Sequence, residues 1–216
     1  MVKFNNKLSD YDYILSFDLA KHKTGWALVG IKESKVFEYG LVVLDEKAES
    51  PWTDIYQKIL DVLNYIKNKY KNFFVTKEKL PNQAGRFTTI ASLQGLAQVH
   101  SVWEICCCLC NIPVYDYDGV HSVSVKALVR NKTGIEKPQK EDVEKYIIEK
   151  YYGLENLSSL DVSDAIGVAD TLIESKWNLD IRNEIKVLEK KIKEYKAEKK
   201  QNELQNRIEE LKNMMA

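Results

Sequence analysis

The sequence carries no surplus of charge of either sign: 32 lysines and arginines balance 32 aspartates and glutamates. No net field draws the whole molecule to nucleic acid or to an anionic membrane, so any polyanion site has to be a local patch. Long apolar runs are missing as well. The uncharged apolar stretch around Ile105 to Val114 contains Asn111 and Pro113 and falls short of the roughly 18 residues that a membrane crossing needs. The opening MVKFNNKLSDYDY has no apolar secretory core, and the expectation is a cytoplasmic protein with no membrane partner. Cysteine is scarce and confined to one short run, Cys106-Cys107-Cys108-Leu109-Cys110. Adjacent helical side chains point in different directions, so this run cannot wrap one tetrahedral zinc, and no paired Cys or His set lies elsewhere. It reads as small apolar filler in a buried helix.

What is present is a pattern whose period changes along the chain. Residues 11 to 18, 24 to 31 and 36 to 44 read as three strands of a meander. From Pro51 to Tyr70 apolar residues recur at three and four, the mark of an amphipathic helix with proline at its start. Phe73 to Thr76 reads as a buried strand, about Thr88 to Cys110 as a helix and Ile112 to Tyr117 as a further strand. Helical patterns follow at His121 to Arg130, Glu141 to Tyr151 and Leu160 to Lys176. This order predicts an α/β fold, a mixed sheet flanked by helices on both faces. Beyond Trp177 there is no glycine or proline, and spaced aliphatics run through Lys, Glu, Asn and Gln. The expected organisation is a domain over 1–177 and a helical or coiled-coil appendage over 178–216. With no turn residue near Lys199 to Asn202, a continuous helix is favoured over a hairpin. Its seam of Ile181, Ile185, Leu188, Ile192 and Tyr195 points to a homodimer or to packing on its own domain.

Four acids are placed where chemistry could use them. Asp18 closes the first strand ahead of the polar loop LAKHKTG, and Glu78 follows the fourth strand. If those strands are central and adjacent, the two carboxylates converge; singly, each is as readily a charge marking the exit from the sheet. Asp161 and Asp164 stand three apart on a helix, on one face, about 5 to 6 Å between Cβ atoms. That pair is either a helix start favoured by the macrodipole, with Ser158 or Ser159 as cap, or a cation site. Four carboxylates suit two Mg²⁺ ions in phosphodiester hydrolysis, which needs no histidine base. Of the three histidines, His22 lies in the Asp18 loop within reach of substrate, His100 reads as a core or helix-surface residue, and His121 as a helix cap.

The segment ILSFDLAKHKTGWALV resembles the first strand pair of the RuvC-type Holliday junction resolvases, which have a ribonuclease H-like fold. VTKEKL resembles their second acidic strand end, SLQGLAQVHS the helix after it, and DVSDAIGVAD their closing Asp-x-x-Asp-Ala helix. VYDYDGVHSVSVKALV and GIEKPQKEDVEKYI are similar to the family's strand with its Val-Lys turn and to its lysine-bearing helix start. The resemblance covers about residues 11 to 176. It implies catalytic, metal-binding acids at Asp18, Glu78, Asp161 and Asp164, with Lys126 and Lys140 near the scissile phosphate. It also implies a homodimer that cuts branched DNA, four-way junctions first and flaps second, in recombination and repair, with two Mg²⁺ ions or Mn²⁺ in their place. Ala20 stands where the family usually has glycine, Leu80 and Pro81 where it often has an aromatic, and the appendage is longer than the family's usual ending.

Lys79 and Arg86 join Lys126 and Lys140 as expected DNA contacts, within a wider set of Lys21, Lys23, Lys77, Arg130, Lys132 and Lys137 around the predicted active edge. The leading expectation is therefore a Mg²⁺-dependent, structure-selective endodeoxyribonuclease. Its alternatives are a non-catalytic branched-DNA scaffold and a related nuclease acting on RNA. An actin-like ATP-binding fold also ends its first strand in an acid beside a Thr-Gly turn. That fold wants a second Gly-rich phosphate loop, and none is found.

Overall fold

The computed structural model describes residues 7–45, 47–81, 89–116, 118–154, 157, 159–194 and 198–215. The chain divides into two compact units, one spanning Tyr11–Thr171 and the other Leu172–Ala216 with Asn6–Asp10.

In the larger unit, β1 (Tyr13–Asp18), β2 (Lys23–Gly30), β3 (Val36–Val43) and β4 (Phe73–Lys77) form one sheet in the order β3-β2-β1-β4. β1 pairs antiparallel with β2 and parallel with β4, so the sheet is mixed and β1 is internal. Side chains alternate across a strand. Leu15, Phe17, Trp26, Leu28 and Val75 enter a core shared with α1 (Pro51–Lys69) and α2 (Ile90–Cys110). There the Phe17 and Trp103 rings meet edge to face at 5.9 Å. Ser16, Asp18, Gly25 and Ala27 face the other way. That face takes α5 (Leu160–Leu172), since a Cβ on Gly25 would lie 2.1 Å from the Asp161 carbonyl oxygen. Helix α3 (Ser122–Thr133) packs on α5 with equal intimacy: a Cβ on Gly167 would come 2.7 Å from Val125 Cγ1. With α4 (Lys140–Lys150) the architecture matches the expected sheet flanked by helices.

Two details differ from the expectations. The run Ile112 to Tyr117 forms no strand among its described residues; β4 is met by isolated parallel bridges at Val114 and Val120. Pro113 can offer a carbonyl, which accepts from Val75 N at 2.9 Å, but has no N–H for a ladder. The cysteine run is buried at Cys106, Cys107 and Cys110, where burial holds the thiols protonated, while Cys108 is exposed.

In the second unit a π-helical turn, Ile173–Trp177, leads into α6 (Asn178–Glu194), and α7 (Glu198–Asn213) follows. The expected continuous helix is corrected to a hairpin. Glu184 and Arg207 would stand about 34 Å apart on one straight helix, yet their side chains pair at 3.8 Å. Gln201 Nε2 likewise donates to the Ile192 carbonyl at 3.2 Å. Ile181, Ile185, Ile208 and Leu211 are all buried. Removing both apolar seams from water within one chain stabilises the hairpin by more than the lack of a turn residue costs it. Tyr195 lies outside the described residues.

Candidate active site

The parallel register of β1 and β4 continues Ser16↔Thr76 and Phe17↔Lys77, so Asp18 and Glu78 leave the sheet side by side. Glu78 is held just past the strand by three backbone bonds: its own N–H to the Phe17 carbonyl at 2.8 Å, Lys79 N–H to Val120, and Val120 N–H to Lys77. This clamp needs Gly119, which has φ +83° and passes so close that a Cβ would sit 2.6 Å from the Lys77 carbonyl. Gly25, opposite Asp18 in the hairpin, performs the same service for α5, letting the first turn of that helix bring Asp161 and Asp164 up to the sheet edge. The loop between β1 and β2 closes on Thr24, whose hydroxyl donates to the Ala20 carbonyl and accepts the Ala20 N–H, each at 3.2 Å. Ala20 is not among the residues with positive φ; its Cβ is therefore tolerated where a glycine was expected.

All four acids line one cleft of about 500 Å³, together with Lys21, Lys79, Lys126, Lys140 and Ser122. The electrostatics are those of crowded carboxylates. Burial first, then the Glu78 charge and hydrogen bond, then Asp164, push the Asp18 carboxyl up to about 8, with Lys140 opposing. Burial and Asp164 likewise raise Glu78, whose carboxylate also accepts from Ser122. The pair therefore holds a proton between its oxygens near neutral pH. Lys140 is the first residue of α4, where Gln139 and Asp142 form a capping box. Its ammonium pairs with Asp164 and lies 3.7 Å from Asp161. Partial burial opposes its charge, but the Asp164 hydrogen bond and the charges of Asp164, Asp18 and Asp161 raise its pKa. Lys23 adds a second cation 3.6 Å from Asp161.

Among the described residues no three His, Cys, Asp or Glu side chains stand at metal-ligating distances. Crowding of the four carboxylates raises the pKa of Asp18 and Glu78 and draws in the Lys140 ammonium. The donor set, hard carboxylate oxygen without thiolate, fits Mg²⁺ or Mn²⁺ chemically.

Several expectations land elsewhere. Arg86, Phe87 and Ser158 lie outside the described residues. Lys77 is no part of a surface patch: it is 3% exposed, pairs with Glu104 at 2.6 Å and lies over the Trp103 ring. Lys79 reaches the cleft while paired with Asp118. Ser159 caps only through its carbonyl, since its hydroxyl is buried without a partner. His121 occupies the N-cap position of α3 but makes no side-chain cap bond. His100, read as a core or surface residue, is both buried and part of the cleft lining. Gly25, Gly119 and Ser122 were not singled out from the sequence; the Thr-Gly and Asp-Gly pairs are the only marks that the first two leave there.

No protein-family model and no curated protein matches the sequence. Solved structures do. Thermus thermophilus RuvC in complex with Holliday junction substrate superposes with a TM-score of 0.57 at 15% identity, covering 74% of this chain and 92% of that one. The yeast mitochondrial Holliday junction resolvase gives 0.55 at 13% identity, over 78% and 80%. The chain has a RuvC-type fold. At that identity the shared feature is the RuvC-type sheet and its covering helices, while the chemistry rests on this chain's own side chains. No helix among the described residues is long and apolar enough to cross a membrane.

Proposed function

We propose that this protein is a Mg²⁺-dependent, structure-selective DNA endonuclease that cuts branched DNA, four-way junctions first. The observation that carries the reading is the set of Asp18, Glu78, Asp161 and Asp164 on one cleft whose other charges are lysines. A monoanionic phosphodiester entering that cleft meets Lys126 and Lys140. The acids would hold two divalent ions, with Mn²⁺ as a substitute, and such ions supply an activated water and stabilise the leaving oxygen. Lys140, which neutralises Asp161 and Asp164 in their absence, becomes available to the phosphate once those acids are otherwise satisfied. Lys79 and Arg86 are proposed to contact the strand on either side.

A homodimer is part of the proposal, and its contact is better sought on α2 than on the appendage. The seam residues Ile181, Ile185, Ile208 and Leu211 are already buried within the chain, whereas Ile105 and Leu109 stand 53% and 63% exposed on a largely uncharged helix.

The test is incubation of the purified protein with four-way junction, flap, linear duplex and structured RNA, in Mg²⁺ and in EDTA. Paired nicks in opposed strands of the junction, absent in EDTA, are expected. Undiminished cutting in EDTA, or no cutting of any branched DNA in Mg²⁺ or Mn²⁺, refutes the reading; preferential cutting of RNA replaces the substrate.

A further inference from the structure

The cleft has two unlike walls. The acids and the lysines that pair with them make one; Leu19, Ala20, Pro81, Ser92, Leu96 and His100 make the other, which carries no formal charge apart from neighbouring Lys21. Within this second wall His100 stands out. It is 5% exposed, and its Nδ1 is sealed without a hydrogen-bond partner. Leaving a buried polar atom unpaired is costly enough that each instance calls for an explanation.

Burial, and then the Lys77 ammonium, lower the His100 pKa to about 4. At neutral pH the ring is uncharged and carries one N–H. A proton on the sealed Nδ1 would be an orphaned donor, the rarer and worse defect. The favoured tautomer places it on Nε2, away from the sealed Nδ1.

We propose that the uncharged wall seats the nucleobase beside the scissile phosphate, and that His100 Nε2–H donates to a carbonyl on the edge of that base. His100 is then a specificity-determining residue, and the inference rests on the nuclease reading above. A phosphate would be better served by the ammonium groups across the cleft. The apolar side chains of Leu19, Pro81 and Leu96 can pack against a base, and a cleft of about 500 Å³ falls within the range of sites that enclose small molecules, roughly 300–1,000 Å³. A donor aimed at the position of guanine O6 or thymine O4 meets an acceptor in those keto bases and an amino group in adenine and cytosine.

The experiment uses four-way junctions with a mobile core, cut by the full-length protein in Mg²⁺, with every cut mapped to the nucleotide. Wild type is expected to prefer a keto base at one position flanking the cut by roughly 10- to 100-fold. An analogue lacking that carbonyl should remove the preference, a readout that needs no variant protein. His100→Leu should flatten the distribution and His100→Gln, which keeps an N–H donor, should restore part of it. A merely structural histidine would lower the rate at all sites alike. Cutting without base preference in wild type, or the same preference in His100→Leu, overturns the role of His100 and leaves the nuclease standing. No cutting by any form overturns both.

Discussion

Helix α5 carries acids at both ends, fully buried at one and half-buried at the other, and their surroundings are opposites. At its C-terminal end Asp170 is fully buried and oversupplied with donors: Tyr146 Oη at 2.9 Å, Tyr151 Oη at 2.7 Å and Lys150 Nζ at 2.7 Å. At its N-terminal end Asp161 and Asp164 join Asp18 and Glu78, and acids outnumber the cations that reach them. A carboxylate with three donors locks α4 and its neighbours to α5 and has nothing left to bind. Carboxylates that share a proton and a lysine keep their capacity for a cation, at a cost in stability when none is bound. On this helix the structural acid and the acids proposed to be catalytic differ both in burial and in the ratio of donors to charges.

The sharpest way to break this comparison is to make matched changes at both ends. Asp18→Asn should lower the cutting rate at least about 10³-fold, since in the proposed two-ion mechanism several kcal/mol of transition-state stabilisation would pass through that carboxylate. Junction binding and the melting temperature without metal should be unharmed. A variant that cuts like wild type would place Asp18 with the structural acids. Asp170→Ala should do the reverse. Removing a fully buried carboxylate that satisfies a half-buried lysine and two tyrosine hydroxyls costs about 3–5 kcal/mol, or on the order of 10 °C at this chain length. The cutting rate per folded molecule should change little; a thermal shift below about 2 °C would contradict the assignment. Gly25→Ala pushes Asp161 away from Asp18 without touching a charge. A displacement near 1 Å is expected to slow cutting about 100-fold, with the circular dichroism spectrum unchanged, and single-turnover kinetics in Mg²⁺ would show it.

The next test is pH. Asp18 and Glu78 have folded pKa values raised above their unfolded ones. Their contribution is fully present below the ordinary carboxylate range and is lost as pH rises through the folded values, about 8 for Asp18. In EDTA the melting temperature should therefore decline from pH 5 to 9, and Mg²⁺ should recover more of it at the alkaline end. A flat profile, or one that Asp18→Asn leaves unaltered, would show that the carboxylates are not crowded in solution. The smallest effect is expected in the second unit: Arg207→Ala breaks an exposed ion pair with Glu184 and should cost under about 1 kcal/mol.

Much of the architecture was legible because it repeats locally. Alternating apolar residues marked β1 to β3, the three-four spacing from Ile55 to Ile66 marked α1, and three-residue spacing put Asp161 and Asp164 on one face. The hairpin of α6 and α7 was not legible. Its cause is the mutual burial of two seams, which no local sequence pattern marks. The fifth strand was overread because apolar residues around Pro113 look alike whether they pair in a ladder or touch it at single points. His100 could not be assigned to the cleft, since an α2 residue facing the sheet core and one at the sheet's edge share the same helical phase.

By itself the sequence determined which carboxylates and lysines exist and which elements bear them, because strand and helix periods are set by backbone geometry within a few residues. Only the tertiary structure decided that β1 and β4 are neighbours, that Gly25 and Gly119 admit close backbone approach, and that a proton and Lys140 settle among the acids. Those outcomes depend on distances between residues far apart in the chain, such as Asp18 and Asp164 on one cleft, and a local pattern contains no information about separations of that kind.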